Sequence, residues 1–125
     1  MTFCGETILP GERKRVPLPV PDAQPLDCIC LCGAKPGWTL VVTAGVHGCE
    51  YVGIQALRTL AQELDPSAMA GNVVLLPLAN PYGFYAGAKR VVHFTKGFSS
   101  HFFAFTCSVK SISVSSPLAV KMPVQ

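Results

Sequence analysis

The plainest pattern along the chain is a nearly continuous apolar run, Trp38-Thr39-Leu40-Val41-Val42-Thr43-Ala44, rich in β-branched residues. A run of that length and type predicts a strand buried on both faces, as in a parallel sheet covered by helices. Gly45-Val46-His47-Gly48-Cys49-Glu50 breaks it with two glycines. From about Glu50 to Leu64 the period changes. Ile54, Leu57, Leu60, Ala61 and Leu64 recur at helical spacing, with Gln55, Arg58, Gln62 and Glu63 at the polar positions. Asp65-Pro66-Ser67 closes this helix. Gly71-Asn72 then leads into Val73–Leu78, a second run of the buried-strand type. Residues 38–78 thus read as strand–helix–strand, a βαβ unit.

The flanking segments are less regular. Residues 11–20 read as an exposed edge strand, because Pro17 and Pro19 would each remove a donor from a central ladder. Residues 26–32 (LDCICLC) read as a further strand, and residues 33–37 as a turn. Asn80-Pro81-Tyr82-Gly83-Phe84 reads as a turn at the exit of the second βαβ strand. Open α/β sheets collect ligands at the carboxyl ends of their strands, and His47 and Asn80 both fall at such ends.

The pattern changes near Val92. Five of the seven Phe lie between Phe94 and Phe105, and no further helix is legible. Charge changes too. Residues 1–65 carry all seven acids and a net −2, whereas residues 66–125 carry five basic side chains and no carboxylate, a net +5. The expected organisation is one N-terminal catalytic-domain part over residues 1–92 and a divergent tail over residues 93–125. The loss of acids with the rise in Phe and Ser suggests an aberrant ending, such as a frameshift, and an edge left unpaired predicts poor solubility.

Composition bounds the function classes. Half of the 125 residues are apolar and 14% are charged, which suits one modest globular domain. The five late basic residues are scattered among Phe and Ser, without a cluster or amphipathic helix, so nucleic acid and membrane surfaces are not expected partners. No leader-like segment opens the chain, which leaves the cytoplasm as the expected compartment and the thiols reduced. Cys28, Cys30 and Cys32 alternate, so in a strand they share one face. They read as small apolar packing residues, since paired zinc ligands usually sit in a C-x-x-C turn.

His47 and Glu50 are the candidate chemistry. Imidazole nitrogen and carboxylate oxygen are both zinc donors, and three residues apart across a turn into a helix they can face one point. The plain alternatives are a hydrogen-bonded loop His and a Glu that favours the first helical turn through its dipole. The segments TAGVHGCEYVGIQALR and GNVVLLPLANPYGF then carry a resemblance. They resemble the opening of the succinylglutamate desuccinylase/aspartoacylase family, related in fold to the zinc carboxypeptidases. The hallmark A-G-x-H-G-x-E matches Ala44 to Glu50, and Pro-x-x-Asn-Pro matches Pro77 to Pro81.

The resemblance implies an α/β fold, a partial carboxypeptidase-like mixed sheet with helices on both faces. It implies one Zn2+ with His47 and Glu50 as ligands, and an N-acyl amino acid or similar small carboxylate as substrate. It also implies an Arg that holds the substrate carboxylate by paired hydrogen bonds. Arg90 is the best-placed match, Lys89 the next, and Asn80 is the other expected substrate-side residue. The expected activity is zinc-dependent hydrolysis of N-acyl amides. The alternatives are a non-catalytic fragment or binding module with a partial metal site, and a carboxypeptidase-like peptidase.

The chain departs from the family pattern after Arg90. Val91-Val92-His93-Phe94-Thr95-Lys96-Gly97 stands where an Asp-x-x-Asn-Leu-Asn-Arg-type segment is expected. No third His ligand has a recognisable context, with His93 and His101 the bare possibilities. No carboxylate follows Asp65 to serve as general base, and Glu63 and Asp65 sit at the far end of the predicted helix from His47.

Overall fold

A computed structural model describes residues 1–87. The expected boundary near Val92, the tail at 93–125, and Lys89, Arg90, His93 and His101 lie outside the described residues.

Four strands form the main sheet: β3 (Arg13–Leu18), β4 (Leu26–Cys32), β5 (Lys35–Thr43) and β6 (Ala70–Leu76). A small hairpin, β1 (Thr2–Phe3) and β2 (Glu6–Thr7), precedes them. The helices are α1 (Tyr51–Glu63) and α2 (Pro81–Ala86), with a single 3₁₀ turn at Pro66–Ala68. Strand order in the sheet is β3-β4-β6-β5. The β3–β4 and β4–β6 pairs are antiparallel, and β5–β6 is parallel. The sheet is therefore mixed, and the βαβ unit expected over residues 38–78 is present as β5–α1–β6.

Each face of the sheet has its own core. In β4, Ile29 and Leu31 point to one side and Cys28, Cys30 and Cys32 to the other, as a two-residue period requires. The first side meets Leu57 and Ala61 of α1 together with Val73 and Leu75 of β6. The second side gathers the three cysteines with Val16, Val74, Leu76 and Ile8. Phe3 and Met1 pack against this second cluster. Among the described residues, then, a helix covers one face and the N-terminal hairpin with its following loop covers the other. The mixed sheet with flanking helices is present as expected.

Burial also explains the cysteines. Desolvation pushes the Cys28 thiol up to about 12 and the Cys30 thiol up to about 11. Both are uncharged packing groups at neutral pH.

A second correction concerns the apolar run that dominates the sequence. β5 is an edge strand among the described residues, paired only with β6. Trp38 is 70% exposed, and Leu40 and Val41 are about two-fifths exposed. The strand buried on both faces is instead β4, where six of seven residues are buried. An apolar run shows that a strand is suited to burial, but strand order decides whether anything lies beside it.

Backbone contact between β5 and β6 is close at its start. Gly71 has φ +86°, and a Cβ there would stand 2.3 Å from the Trp38 carbonyl oxygen. Only glycine permits this approach, and the ladder carries an irregularity between Lys35 and Thr39 at the same place. No helix among the described residues is long and apolar enough to cross a membrane.

Candidate metal site at the strand ends

Because β5 and β6 are parallel, their carboxyl ends leave the sheet side by side. The two exits stay zipped beyond the last regular pair. Ala44 N–H donates to the Leu76 carbonyl at 2.9 Å, Ala79 N–H to Ala44 at 2.9 Å, and Asn80 N–H to Gly45 at 2.9 Å. The segment carrying His47 is thereby held against the segment carrying Asn80.

Gly45 makes the bend. Its φ is +62°, and a Cβ there would lie 3.0 Å from Ile54 Cγ1, Leu78 Cδ1 and the Pro77 carbonyl oxygen. The chain then turns through Val46 to Glu50, where Glu50 N–H donates to the His47 carbonyl at 3.1 Å. Glu50 is the N-cap of α1, yet its side chain makes no capping hydrogen bond. The carboxylate is left available, on the open side of the turn.

His47 Nε2 and Glu50 Oε1 stand 4.0 Å apart. Two donors sharing one tetrahedral zinc, each about 2.1 Å from it, would be separated by roughly 3.4 Å. The pair needs only a small side-chain adjustment to converge on a cation. His47 is partly sheltered and Glu50 half-exposed, so the point between them is open to water. Among the described residues no third His, Cys, Asp or Glu joins them in a group able to hold a metal. The residues present therefore fit half of a zinc site.

Asn80 has the clearest structural role. It is the one buried polar residue, 6% exposed among the described residues. Its Oδ1 accepts from Gly83 N–H at 2.9 Å and so caps α2. Its Nδ2 donates to the Val46 carbonyl at 3.1 Å. One side chain thus fastens the start of α2 to the residue beside His47. The ring of Tyr51, at the start of α1, meets Phe84 of α2 edge-on at 5.3 Å.

Residues 80–84, expected as a turn, instead open a helix. The signal was there: Asn at the N-cap, Pro at the first helical position, and a left-handed glycine, Gly87, after the last turn. The bracing role of Asn80 had no such signal, since it depends on which carbonyl lies within reach. Glu63 and Asp65 lie at the opposite end of α1 from His47, as expected.

The comparisons with known proteins cover the same stretch. The catalytic-domain model of the succinylglutamate desuccinylase/aspartoacylase family matches residues 36–97. The N-alpha-acetyl-L-2,4-diaminobutyric acid deacetylase of Halomonas elongata is 38% identical over 53 residues, which are 42% of this chain and 16% of that protein. A succinylglutamate desuccinylase/aspartoacylase structure from Rhodobacter sphaeroides is 29% identical with a TM-score of 0.48, over 59% of this chain and 24% of that one. An aspartoacylase family protein of Mesorhizobium loti is 25% identical with a TM-score of 0.49, over 67% of this chain and 27% of that one. The chain spans about a quarter of the length of these solved structures, and less of the curated relative. Over its N-terminal region the chain is a partial match to the succinylglutamate desuccinylase/aspartoacylase family.

Proposed function

We propose that the His47–Glu50 turn is the zinc-binding half of a hydrolase site of the type that cleaves N-acyl amides of amino acids. The observation that carries this reading is the pair itself. Two zinc-competent donors, 4.0 Å apart, lie at the carboxyl end of a parallel strand pair, inside the stretch that matches the family. When bound, zinc in such a site polarises the acyl carbonyl and lowers the pKa of a water.

This chain's own residues have three tasks in that reading. His47 and Glu50 hold the cation from one side. Asn80 holds the turn on which His47 stands, through the Val46 carbonyl, and so fixes where the cation sits relative to α2. Its remaining amide hydrogen is the polar group it can offer to a substrate. Arg90 is the residue proposed to grip a substrate carboxylate, since a guanidinium can do so with two parallel hydrogen bonds. The substrate class follows as a small N-acyl amino acid, and the relative from Halomonas elongata bears a name of that type.

One observation favours a second reading, that of a metal-binding module without turnover. From Pro66 to Gln125 the sequence contains no Asp or Glu, so this stretch offers no carboxylate general base. Zinc-assisted amide hydrolysis needs a group that takes a proton from the attacking water.

Zinc stoichiometry and turnover of N-acyl amino acids, measured on the purified chain and on His47→Ala, test both readings. Stoichiometric zinc with turnover that vanishes in His47→Ala is the result expected of a hydrolase. Stoichiometric zinc without turnover supports the binding module. Failure to retain zinc at micromolar concentration overturns both.

A further inference from the structure

The helix-covered face of the sheet carries charge where a covered sheet is ordinarily apolar. Arg13 and Arg15 of β3 stand opposite Leu31 and Ile29 in register, and so project on the same side as the α1 core. The end of α1 meets Arg13 through its last carbonyls but leaves space over β3. A cleft of about 1050 Å³ remains between β3, the loop before β4, α1 and α2. Its size lies at the top of the range for small-molecule sites. Ile29 and Ala61 contribute apolar floor, Tyr85 an exposed ring, and Arg13, Arg15 and Arg58 the cationic groups. Neither His47 nor Glu50 lines it.

The charges in this cleft do not cancel. Asp27 is the one acid among its lining residues, and it pairs with Arg15 at 3.3 Å. Arg13 donates to the Leu64 carbonyl at 2.6 Å and reaches the Gln62 carbonyl at 3.4 Å. Those acceptors are the last carbonyls of α1, and Asp65 also feels the guanidinium, so the charge of Arg13 is held in place and partly offset. Arg58 has no ion-pair partner among the described residues. Arg58 and a partly offset Arg13 therefore stand as excess positive charge over an apolar floor. A purely apolar occupant would desolvate them without compensation, which is strongly unfavourable. An occupant with a carboxylate at one end and an apolar body satisfies both parts of the surface.

We propose that this cleft is a binding site for a small organic carboxylate with an aryl or alkyl body, distinct from the His47–Glu50 pair. The carboxylate sits at Arg13 and Arg58, and the body lies over Ile29 and Ala61 beside the Tyr85 ring.

The test titrates the full chain with phenylbutyrate and with its neutral amide, followed by calorimetry and by backbone amide shifts. The expected result is saturable one-to-one binding, with shifts at Ile29, Arg58, Ala61 and Tyr85. The neutral amide and the exposed-site variant Arg58→Gln should each weaken binding by about tenfold. Arg58→Lys should restore part of the loss, and His47→Ala should leave the affinity unchanged. That last arm separates this cleft from the proposed metal site, whose failure would not affect it. Equal affinity for acid and amide, an unaltered affinity in Arg58→Gln, shifts confined to the His47–Glu50 turn, or no saturation would each overturn the proposal.

Discussion

Replacing Asn80 by Ala tests how the candidate site is held in place. The side chain is 6% exposed and makes two hydrogen bonds, one capping α2 through Gly83 N–H and one bracing the Val46 carbonyl. Loss of an N-cap costs about 1 kcal/mol. The part-buried Val46 carbonyl left without its donor costs about 1–2 kcal/mol more, the lower part of the range for a buried group. The sum is about 2–3 kcal/mol for one small side chain. With a urea dependence of about 1–3 kcal/mol per molar for a protein of this size, the midpoint should fall by about 1–2 M. Asn80→Asp separates the two contacts. It keeps an oxygen to accept from Gly83 N–H, but presents oxygen rather than N–H to the Val46 carbonyl. Zinc affinity should therefore fall in both variants, because the turn under His47 is released in both, while the α2 cap survives only in Asn80→Asp. Urea unfolding and competitive zinc titration measure the two effects independently. A midpoint within experimental scatter of the parent in Asn80→Ala would refute the argument that this residue fastens the two strand exits.

Three further outcomes are expected. Gly45→Ala places a methyl group 3.0 Å from Ile54, Leu78 and the Pro77 carbonyl oxygen at φ +62°; it should destabilise the chain by about 1–3 kcal/mol and weaken zinc binding, both read from urea titrations with and without the metal. The Cys28 and Cys30 thiols are raised by burial to about 12 and about 11 from the usual 9.0. The folded chain holds these protons where the unfolded chain releases them, so stability should decline above about pH 9, a loss that Cys28→Ala reduces; at pH 8, iodoacetamide should label the exposed Cys4 and Cys49 before either buried thiol. Among the described residues β5 has no neighbour on its outer side and Trp38, Leu40 and Val41 are exposed, which should drive association; Val41→Lys should lower light scattering at fixed concentration without shifting the urea midpoint by more than a few tenths of a molar.

Much of the architecture was legible in the residues. The change from an apolar run to a 3.6-residue period and back marked β5, α1 and β6, because burial of one helix face and of strand faces leaves that imprint locally. The two glycines after Ala44 marked the bend, and the family resemblance marked His47 and Glu50 as the proposed donors. Pro17 and Pro19 marked β3 as an edge, since each lacks a ladder donor. The alternation of Cys28, Cys30 and Cys32 marked a shared face, and the structure makes that face a core.

Tertiary structure decided what local pattern cannot encode. The apolar run at 38–44 is suited to burial, yet strand order places it at the sheet edge and gives the buried central position to Leu26–Cys32. Which strand lies in the middle depends on pairing between segments distant in sequence. The same holds for the cover of the second face, supplied among the described residues by Phe3 of the hairpin and by Ile8 just after it. Asn80 could be placed at a strand end from sequence alone, but its grip on Val46, 34 residues away, exists only once β5 and β6 run parallel. The sequence determined which side chains carry donor atoms; parallel pairing of two strands decided that His47 and Glu50 would stand on a braced turn at their common end.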